Sequence, residues 1–361
     1  MQEHPLHVLV CPLDWGLGHA ARCIPVIRML LENGFKVTIA GYGRSLAMLR
    51  NEFPKANLLE LPGFSPSYAR SGNMVLKMLL LIPSFVKSIL VEHQSLKKII
   101  VSHHVDIVIS DNRYGLWNKK TRSIFITHQV MIKTPKWLSF SENFFYHISC
   151  FLINRFDECW IPDRQEAPGL SGDLSHKYPL PKNARFIGPL SRFDQRPIKI
   201  GTCQKKGILV ILSGPEPQRS LLEQIIIGQL SELKIPATII CGKPESKITE
   251  KKGNITLLPH LSTPETEALI SQSELVICRS GYSSIMDLAS IGAKALFVPT
   301  PGQTEQIYLA TLHQGSGTAL FREQHQLDLS VDLAKALRYK GFSSSMETGC
   351  LAEIIKSLQR K

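Results

Sequence analysis

A histidine stands at the first glycine-bearing turn of the chain. Residues 7–12 form an apolar run that predicts a strand, and the turn after it contains Gly16, Gly18 and His19. A helix is expected over residues 20–32. A neutral imidazole near pH 7 can take a proton from a hydroxyl group or from water. His19 is therefore a candidate general base, and the alternative is a histidine that only caps or packs its helix.

A second stretch that suits ligand chemistry lies near the C-terminal end. The apolar run 274–278 predicts a buried strand, which ends at Arg279-Ser280-Gly281 before a helical pattern that stops at Gly292. A small-residue turn that opens a helix presents backbone N–H groups and the positive end of the helix dipole to a phosphate. Asp287, about two turns into the helix, is expected to accept hydrogen bonds from ribose hydroxyls. The alternative is an ordinary βαβ unit with capping serines.

Polar side chains also follow other predicted strands. Three candidates to hold sugar hydroxyls follow the strand predicted over 294–298: Gln303, Glu305 and Gln306. In the N-terminal half, predicted strands end at Asp111 and at His128-Gln129. Ligands of open parallel sheets bind at the carboxyl ends of strands, so these groups are expected to share an edge with His19. Asp111 is a second candidate base. His128 and Gln129 are candidates to contact the substrate that carries the hydroxyl group, which we call the acceptor.

The order of predicted elements gives an α/β fold in two halves. Strands and helices alternate from residue 7 to a strand predicted over 186–190, and the same rhythm restarts at Gly207. We expect an N-terminal Rossmann-like domain over 1–190, a basic, weakly apolar linker over 191–206 and a C-terminal Rossmann-like domain over 207–340. A last segment, 341–361, completes the division. That segment contains a helical pattern.

Composition limits the classes of partner and cofactor. The 361 residues carry a net charge of +12, which calls for an acidic partner such as nucleotide phosphates or an anionic membrane. The charge is dispersed and no nucleic-acid module is recognisable, so a nucleic-acid partner is not expected. The first glycine turn lacks the full dinucleotide fingerprint, which argues against NAD, and no cofactor is expected. The eight cysteines have no metal-ligand spacing, and buried reduced thiols in a cytoplasmic protein are expected.

Two apolar stretches raise the question of membrane contact. Residues 74–91 are too short and too interrupted to span a bilayer, and lysines flank their apolar faces. We favour a long helix that packs on the sheet and kinks at Pro83, with an interfacial helix as the alternative. That alternative would place the protein peripherally at the inner face of the cell membrane. Residues 144–156 form an aromatic-rich helical pattern, which we interpret as core.

The C-terminal stretch resembles the donor domain of glycosyltransferase family 28, which includes the N-acetylglucosaminyltransferases of peptidoglycan lipid-intermediate synthesis. The resemblance rests on Cys278-Arg279-Ser280-Gly281, Asp287, the run 295–299 and Glu305-Gln306. The family more often has Glu where Asp287 stands and a second Gln where Ile307 stands. The resemblance implies the GT-B fold, in which two Rossmann-like domains with parallel sheets face an interdomain cleft. It also implies that the first domain, 1–190, is the acceptor domain, that the second, 207–340, is the donor domain for a UDP-sugar, and that a C-terminal helix returns to the first domain.

The first loop is similar to two groups of proteins. Gly16-Leu-Gly18-His19 with Arg22-Cys23 resembles the glycine-rich loop of family 28 and also the UDP-sugar hydrolase of pseudaminic acid biosynthesis, a GT-B relative. In both, the loop is expected near the sugar and the diphosphate. The resemblance implies the following donor-binding residues: Gly16, Gly18, Ser213, Gly214, His260, Leu261, Arg279, Ser280, Gly281, Tyr282, Ser283, Asp287, Gln303, Glu305 and Gln306.

These observations predict a glycosyltransferase that moves a sugar, with N-acetylhexosamine as one candidate, from a UDP-sugar to an unknown hydroxyl acceptor with inversion. The sequence contains no D-x-D motif, so helix N-termini and Arg279 are expected to carry the leaving-group charge in place of a carboxylate-held metal. The alternatives are a UDP-sugar hydrolase, in which His19 activates water, and a non-catalytic nucleotide-sugar-binding protein.

Overall fold

The computed structural model describes residues 4–63, 74–193, 205–243, 248–343 and 350–359; the side chains of residues 74–81 and of residue 136 lie outside the description. The chain divides into two compact units. Residues 1–190 and 347–361 form the first unit, and residues 191–346 form the second. Most of the expected linker, 194–204, lies outside the described residues.

The first unit is built on a seven-stranded sheet. Its strands are β1 (His7–Cys11), β2 (Lys36–Gly41), β3 (Asn57–Glu60), β4 (Ile107–Asp111), β5 (Arg122–Ile126), β6 (Glu158–Ile161) and β7 (Ala184–Phe186). Its helices up to residue 190 are α1 (Leu17–Glu32), α2 (Gly43–Glu52), α3 (Met74–His103), α4 (Glu142–Ile153) and α5 (Asp173–His176), with a 3-10 helix, η1 (Lys136–Ser141), before α4.

The strand order of the first sheet is β3-β2-β1-β4-β5-β6-β7, and every pair is parallel. The order reverses between β1 and β4, where Cys11 lies opposite Ser110. Loops that leave the carboxyl ends of these two strands diverge to opposite sides of the sheet, which opens a crevice at this point. The sheet therefore brings the turn after β1 and the end of β4 to one place.

The second unit repeats the plan. Its strands are β8 (Ile208–Ile211), β9 (Ala237–Ile240), β10 (Glu250–Lys252), β11 (Ile255–Leu258), β12 (Leu275–Cys278), β13 (Ala295–Phe297) and β14 (Leu320–Phe321). Its helices are α6 (Gln218–Glu232), α7 (Thr263–Gln272), α8 (Tyr282–Ile291), α9 (Thr304–Gly315) and α10 (Leu329–Leu337), with a 3-10 helix, η2 (Gln324–Gln326).

The strand order of the second sheet is β10-β11-β9-β8-β12-β13-β14, and β10 is antiparallel to β11 whereas the other pairs are parallel. The reversal lies between β8 and β12, where Cys278 lies opposite Ile211. The expected α/β class with two parallel-rich sheets is confirmed. A shared core of buried aliphatic side chains from α6, α10 and the central strands fixes the strand ends that carry the loops.

The last helix, α11 (Cys350–Ser357), belongs to the first unit. The side-chain amide of Gln359 donates to the carbonyl of Asn33 at 2.6 Å, at the end of α1. Leu351, Ile354 and Ile355 are buried on one face of α11, which explains the helical spacing of the apolar residues in the sequence.

Three sequence expectations differ from the structure. The strand predicted over 186–190 lies earlier, at β7, and the backbone amides of Ile187 and Gly188 donate to the carbonyls of Ile161 and Asp163 at the end of β6. The first residues of the expected linker, Ser191 to Phe193, are packed into the second unit. The interpretation of 144–156 as core holds for one face only, because Ile153 and Phe156 are buried whereas Phe144 and Phe151 are mostly exposed. Within the described ranges, no helix combines the length and apolarity needed to cross a bilayer.

Candidate functional site

The first site lies in the first unit, at the reversal of the strand order. Gly16 caps the N-terminus of α1 with φ +98°, a backbone conformation that suits glycine. This turn places His19 in the first turn of α1, with its side chain 16% exposed. Asp111 ends β4 beside it, and its carboxylate is fully buried. The expectation that these residues share one edge of the sheet therefore agrees with the geometry.

The Asp111 carboxylate holds the site together. It accepts a hydrogen bond from His19 Nδ1 at 2.7 Å and two from the Arg22 guanidinium, through Nε and Nη2. The thiol of Cys23 contacts the same carboxylate at 3.6 Å. Arg22 lies one turn after His19 on α1, so both side chains reach the same acceptor.

Arg22 also fixes the protonation state of a second histidine, His128. Its Nη1 lies 2.9 Å from His128 Nδ1. A guanidinium can only donate, so Nδ1 of His128 is the acceptor and the imidazole is neutral with its proton on Nε2. The constellation is thus one ion pair, Asp111 with Arg22, flanked by two imidazoles, and we call it the His-Asp-Arg cluster: His19, Arg22, Asp111 and His128.

The charges of the cluster follow from burial and pairing. Burial opposes ionisation of Asp111, but the Arg22 guanidinium and the His19 ring outweigh it and hold the pKa of this carboxyl well below its ordinary value. Burial, with the adjacent Asp111 charge, raises the pKa of the Cys23 thiol well above its usual range. Cys23 is therefore an inert neutral thiol.

The geometry corrects the expected role of Asp111. A fully buried carboxylate that accepts from Arg22 and His19 cannot reach an acceptor hydroxyl, so it is a positioning residue and not a second base. Nδ1 of His19 lies 2.7 Å from Asp111 Oδ1 and 2.9 Å from Arg22 Nη2, which itself donates to the same carboxylate oxygen. Because an ionised carboxylate can only accept, we assign the Nδ1 proton of His19 to the hydrogen bond with Asp111. Nε2 of His19 is then unprotonated and is the ring atom suited to take a proton. His128 is buried and acts on Arg22, whereas Gln129 is half-buried, with its backbone amide bound to Thr127 Oγ1.

The second site lies in the second unit, where three loops leave β8, β12 and β13. The first loop carries Ser213 and Gly214, and Gly214 has φ +101°. A Cβ atom at Gly214 would lie 3.5 Å from the hydroxyl of Thr300 in the third loop. The second loop carries Gly281, which is the N-cap of α8. Tyr282 and Ser283 are the first two residues of that helix. The first turn of a helix is a site for phosphate oxygens.

Arg279 does not present its charge to a ligand, which corrects the expected leaving-group role. Its guanidinium is buried and donates to the carbonyls of Val298 and Pro299, both at 2.9 Å. It also donates to Gln218 O and to Gln324 Oε1, both at 2.8 Å. Burial lowers the pKa of Arg279 to about 10. Arg279 therefore fixes the loop after β13 and the start of α6.

The polar residues expected to hold the sugar are bonded to one another. Ser280 Oγ donates to the carbonyl of Gln306 at 2.7 Å. The side-chain oxygen of Gln306 accepts from the amide of Thr300 at 2.8 Å, and its nitrogen donates to Gln303 Oε1 at 2.6 Å. Glu305 is half-buried in the first turn of α9. The Gln306 amide thus shapes the loop.

Asp287 lies on α8 and is buried with partners from the start of the second unit. Its carboxylate accepts from Ser191 Oγ at 2.8 Å and from Arg192 Nε at 3.0 Å. Burial raises the pKa of Asp287, and the Arg192 charge only partly opposes the shift. Its role toward ribose, and those of half-buried His260 and Leu261 toward the base, stay predictions.

Three residues that matter here were not predicted as site residues. Arg22 carried a signal, since it follows His19 at helical spacing. Thr300 has a buried hydroxyl with no hydrogen-bond partner among the described residues, and it stands beside Gly214. Ser191 was assigned to the linker, and nothing in its local sequence indicates that it bonds Asp287, 96 residues away. Among the described residues, no cluster of three or more His, Cys, Asp or Glu could hold a metal ion.

Comparison with known proteins identifies the second unit. The profile of the glycosyltransferase family 28 C-terminal domain matches residues 210–346. The chain is a glycosyltransferase with a family 28 C-terminal domain. An uncharacterized glycosyltransferase of Methanosarcina acetivorans is 24% identical over 81% of this chain and 79% of its own length. A Buchnera aphidicola protein, named as the UDP-N-acetylglucosamine transferase that acts on N-acetylmuramyl-(pentapeptide) pyrophosphoryl-undecaprenol, is 24% identical over 95% of this chain and 87% of its own.

Solved structures place this glycosyltransferase in the GT-B fold, as expected. The spinosyn rhamnosyltransferase SpnG, also solved with thymidine diphosphate, matches with a TM-score of 0.64 at 13% identity over 98% of this chain and all of its own. MurG of Acinetobacter baumannii matches with a TM-score of 0.55 at 15% identity over 99% of this chain and all of its own.

Proposed function

We propose that the protein transfers a sugar from a UDP-sugar to a hydroxyl acceptor with inversion at the anomeric carbon. The His-Asp-Arg cluster carries this proposal, because a histidine held by a buried carboxylate is an established form of general base. The family 28 domain supports a nucleotide-sugar donor. The name of the Buchnera relative supports N-acetylglucosamine as the first sugar to test.

The proposed reaction is a single displacement. Nε2 of His19 takes the proton of the acceptor hydroxyl as its oxygen bonds to the anomeric carbon. The bond from that carbon to the distal phosphate oxygen breaks, and UDP leaves with the electron pair. Asp111 stabilises the imidazolium that forms, while Arg22 keeps Asp111 ionised. The first turn of α8 is suited to the charge of the departing diphosphate.

A UDP-sugar hydrolase is the second candidate, because the same cluster could activate water. UDP release measured over UDP-N-acetylglucosamine, UDP-glucose and UDP-N-acetylgalactosamine, with and without a lipid-extract acceptor, separates the two. Release that depends on the acceptor supports the transferase, and equal release without acceptor supports the hydrolase. Binding of UDP-sugars with no release under any condition would contradict both and leave a non-catalytic binding protein.

A further inference from the structure

An acidic residue in the turn after β1 bonds a neighbouring helix. Asp14 precedes Gly16, the N-cap of α1, by two residues. Its Oδ1 accepts from the backbone amide of Ser45, the third residue of α2, at 3.3 Å. That amide is one that an N-cap side chain normally satisfies, but the N-cap of α2 is Tyr42, whose side chain makes no capping hydrogen bond within the described residues. Asp14 therefore caps a helix to which it does not belong.

The same turn has a second link to α2. The buried hydroxyl of Ser45 donates to the carbonyl of Gly16 at 3.3 Å. One serine thus bonds both ends of the segment 14–16, through its amide at Asp14 and through its hydroxyl at Gly16. The carboxylate also packs against the first residue of α2, because a Cβ atom on Gly43 would lie 2.8 Å from Oδ2 of Asp14. The turn is therefore fixed to the N-terminus of α2.

The position of this turn determines where α1 begins. His19 is the third residue of α1, so the direction of its side chain depends on the place of the N-cap, Gly16. Nδ1 of His19 lies 2.7 Å from Oδ1 of Asp111, a carboxylate that β4 and the Arg22 guanidinium fix independently. A shift of the turn by about 1 Å would stretch this hydrogen bond and move Nε2 of His19 away from the reacting hydroxyl.

We propose that Asp14 is a positioning residue for the general base. By capping α2 it holds the turn after β1, and through Gly16 it aligns His19 with Asp111. This inference rests on the proposed function, in which Nε2 of His19 takes the proton of the acceptor hydroxyl. Asp14 exchanges no proton in that reaction and acts through the backbone of the turn. If the cap only stabilised α2, its removal would lower stability and leave the rate of the folded protein unchanged.

Kinetics of two Asp14 variants test the proposal. Asp14→Ala removes the cap and should lower kcat for UDP release by about 10–100-fold, while KM for the UDP-sugar changes by less than about threefold. Asp14→Asn keeps an oxygen that can cap α2 and should recover at least about half of the wild-type kcat. The matched control is Asp328→Ala, which removes the cap of α10 in the second unit, where the Asp328 carboxylate accepts from the amide of Ser330 at 3.0 Å. It should lower the melting temperature by a similar amount and keep the wild-type kcat.

A double-mutant cycle separates the carboxylate from the rest of the turn. The Cβ atom introduced by Gly43→Ala would push the Asp14 carboxylate aside, so this change should lower kcat in the wild-type background. In the Asp14→Ala background it should lower kcat by less than about twofold, because the carboxylate that it displaces is already absent. Equal losses of kcat in both backgrounds would overturn the proposal, since Gly43 would then act through its own backbone.

NMR of the histidine ring nitrogens tests the alignment without catalysis. The signals of His19 are assigned by their loss in His19→Ala. In the wild type and in Asp328→Ala they should show one tautomer, with the proton on Nδ1. In Asp14→Ala the two nitrogen signals should move toward each other, because a ring released from Asp111 exchanges between its tautomers.

Two results would overturn the proposal: a folded Asp14→Ala protein with unchanged His19 ring signals, and equal losses of kcat in Asp14→Ala and Asp328→Ala. The second result would mean that general destabilisation explains the lower rate. A wild type that releases no UDP from any UDP-sugar would contradict the proposed function instead. The ring signals would still decide whether Asp14 aligns His19, so the two failures remain distinct.

Discussion

The two sites of this glycosyltransferase use buried charge in opposite ways. In the first unit, Asp111 is ionised against Arg22 and aligns a histidine that remains partly exposed. In the second unit, the Arg279 guanidinium donates to backbone carbonyls, and the side-chain oxygen of Gln306 accepts from a backbone amide of the loop after β13. In the proposed reaction, side chains thus carry the chemistry of the first site. In the second site they shape loops whose backbone amides suit a diphosphate.

The largest effect is expected at His19. We expect His19→Ala to lower kcat for UDP release by about 10²–10⁴-fold, because it removes the proposed general base. Affinity for UDP, measured by calorimetry, should stay near that of the wild type. The surface variant His325→Ala, which removes a mostly exposed imidazole, is the control and should keep full activity. A fully active but less stable His19→Ala protein would make His19 a structural residue of α1.

Asp111 should show the next largest effect, on stability as well as on rate. We expect Asp111→Asn to lower the free energy of unfolding by about 3 kcal/mol at pH 7, because Arg22 is left as an unpaired buried cation. The fold lowers the pKa of Asp111, so its charge stabilises the native state above the unfolded value of about 4. That stability is lost as pH falls below this value toward the folded pKa. Urea titrations at pH 7 and pH 3 should therefore show a smaller difference at pH 3.

Variants of Arg279 test whether its guanidinium holds the loops of the second site in place. We expect Arg279→Met to lower the free energy of unfolding by about 2–3 kcal/mol, since carbonyls of the loop after β13 lose their donor. Arg279→Lys should recover little, because one ammonium cannot replace a planar fork with four acceptors. Thermal melting measures both. A variant with unchanged stability and sharply reduced kcat would restore the leaving-group role that the structure removes.

Sequence patterns predicted the strands well because buried parallel strands read as continuous apolar runs. They missed β10, whose residues are all exposed at the sheet edge. They also missed α7, although the capping box of Ser262 and Glu265 was a readable signal. The spacing of the aromatic residues in α4 predicted a helix. It did not predict which of these side chains are buried, because spacing does not show which face of a helix packs against the sheet. For the two sites, residue types and spacing predicted His19 and Asp111 as candidates. Partners such as Ser191, which bonds Asp287, could not be predicted because the contact joins distant parts of the sequence.

A smaller effect is expected for nucleotide binding through Asp287. We expect Asp287→Ala to weaken UDP binding by about 1–3 kcal/mol, the usual cost of leaving polar partners unpaired, if ribose hydroxyls use this carboxylate. Arg192→Ala is the matched control, because it removes the partner of Asp287 at 3.0 Å and keeps the carboxylate. It should bind UDP at least as well as the wild type. Unchanged UDP binding by a folded Asp287→Ala protein would limit Asp287 to holding Ser191 and Arg192.

The smallest effect sharpens the contrast between the two buried carboxylates. Burial raises the pKa of Asp287, whereas pairing lowers that of Asp111. A carboxyl whose folded pKa is raised contributes stability below its ordinary pKa and loses it as pH rises through the folded value. Asp287→Asn removes this titration. The variant should therefore gain stability relative to the wild type as pH rises above the ordinary carboxyl value of about 4, while Asp111→Asn loses stability relative to the wild type as pH rises toward that value. Urea titrations of both variants across pH 3–7 measure the two slopes, and slopes of the same sign would show that Arg192 compensates Asp287 as fully as Arg22 compensates Asp111.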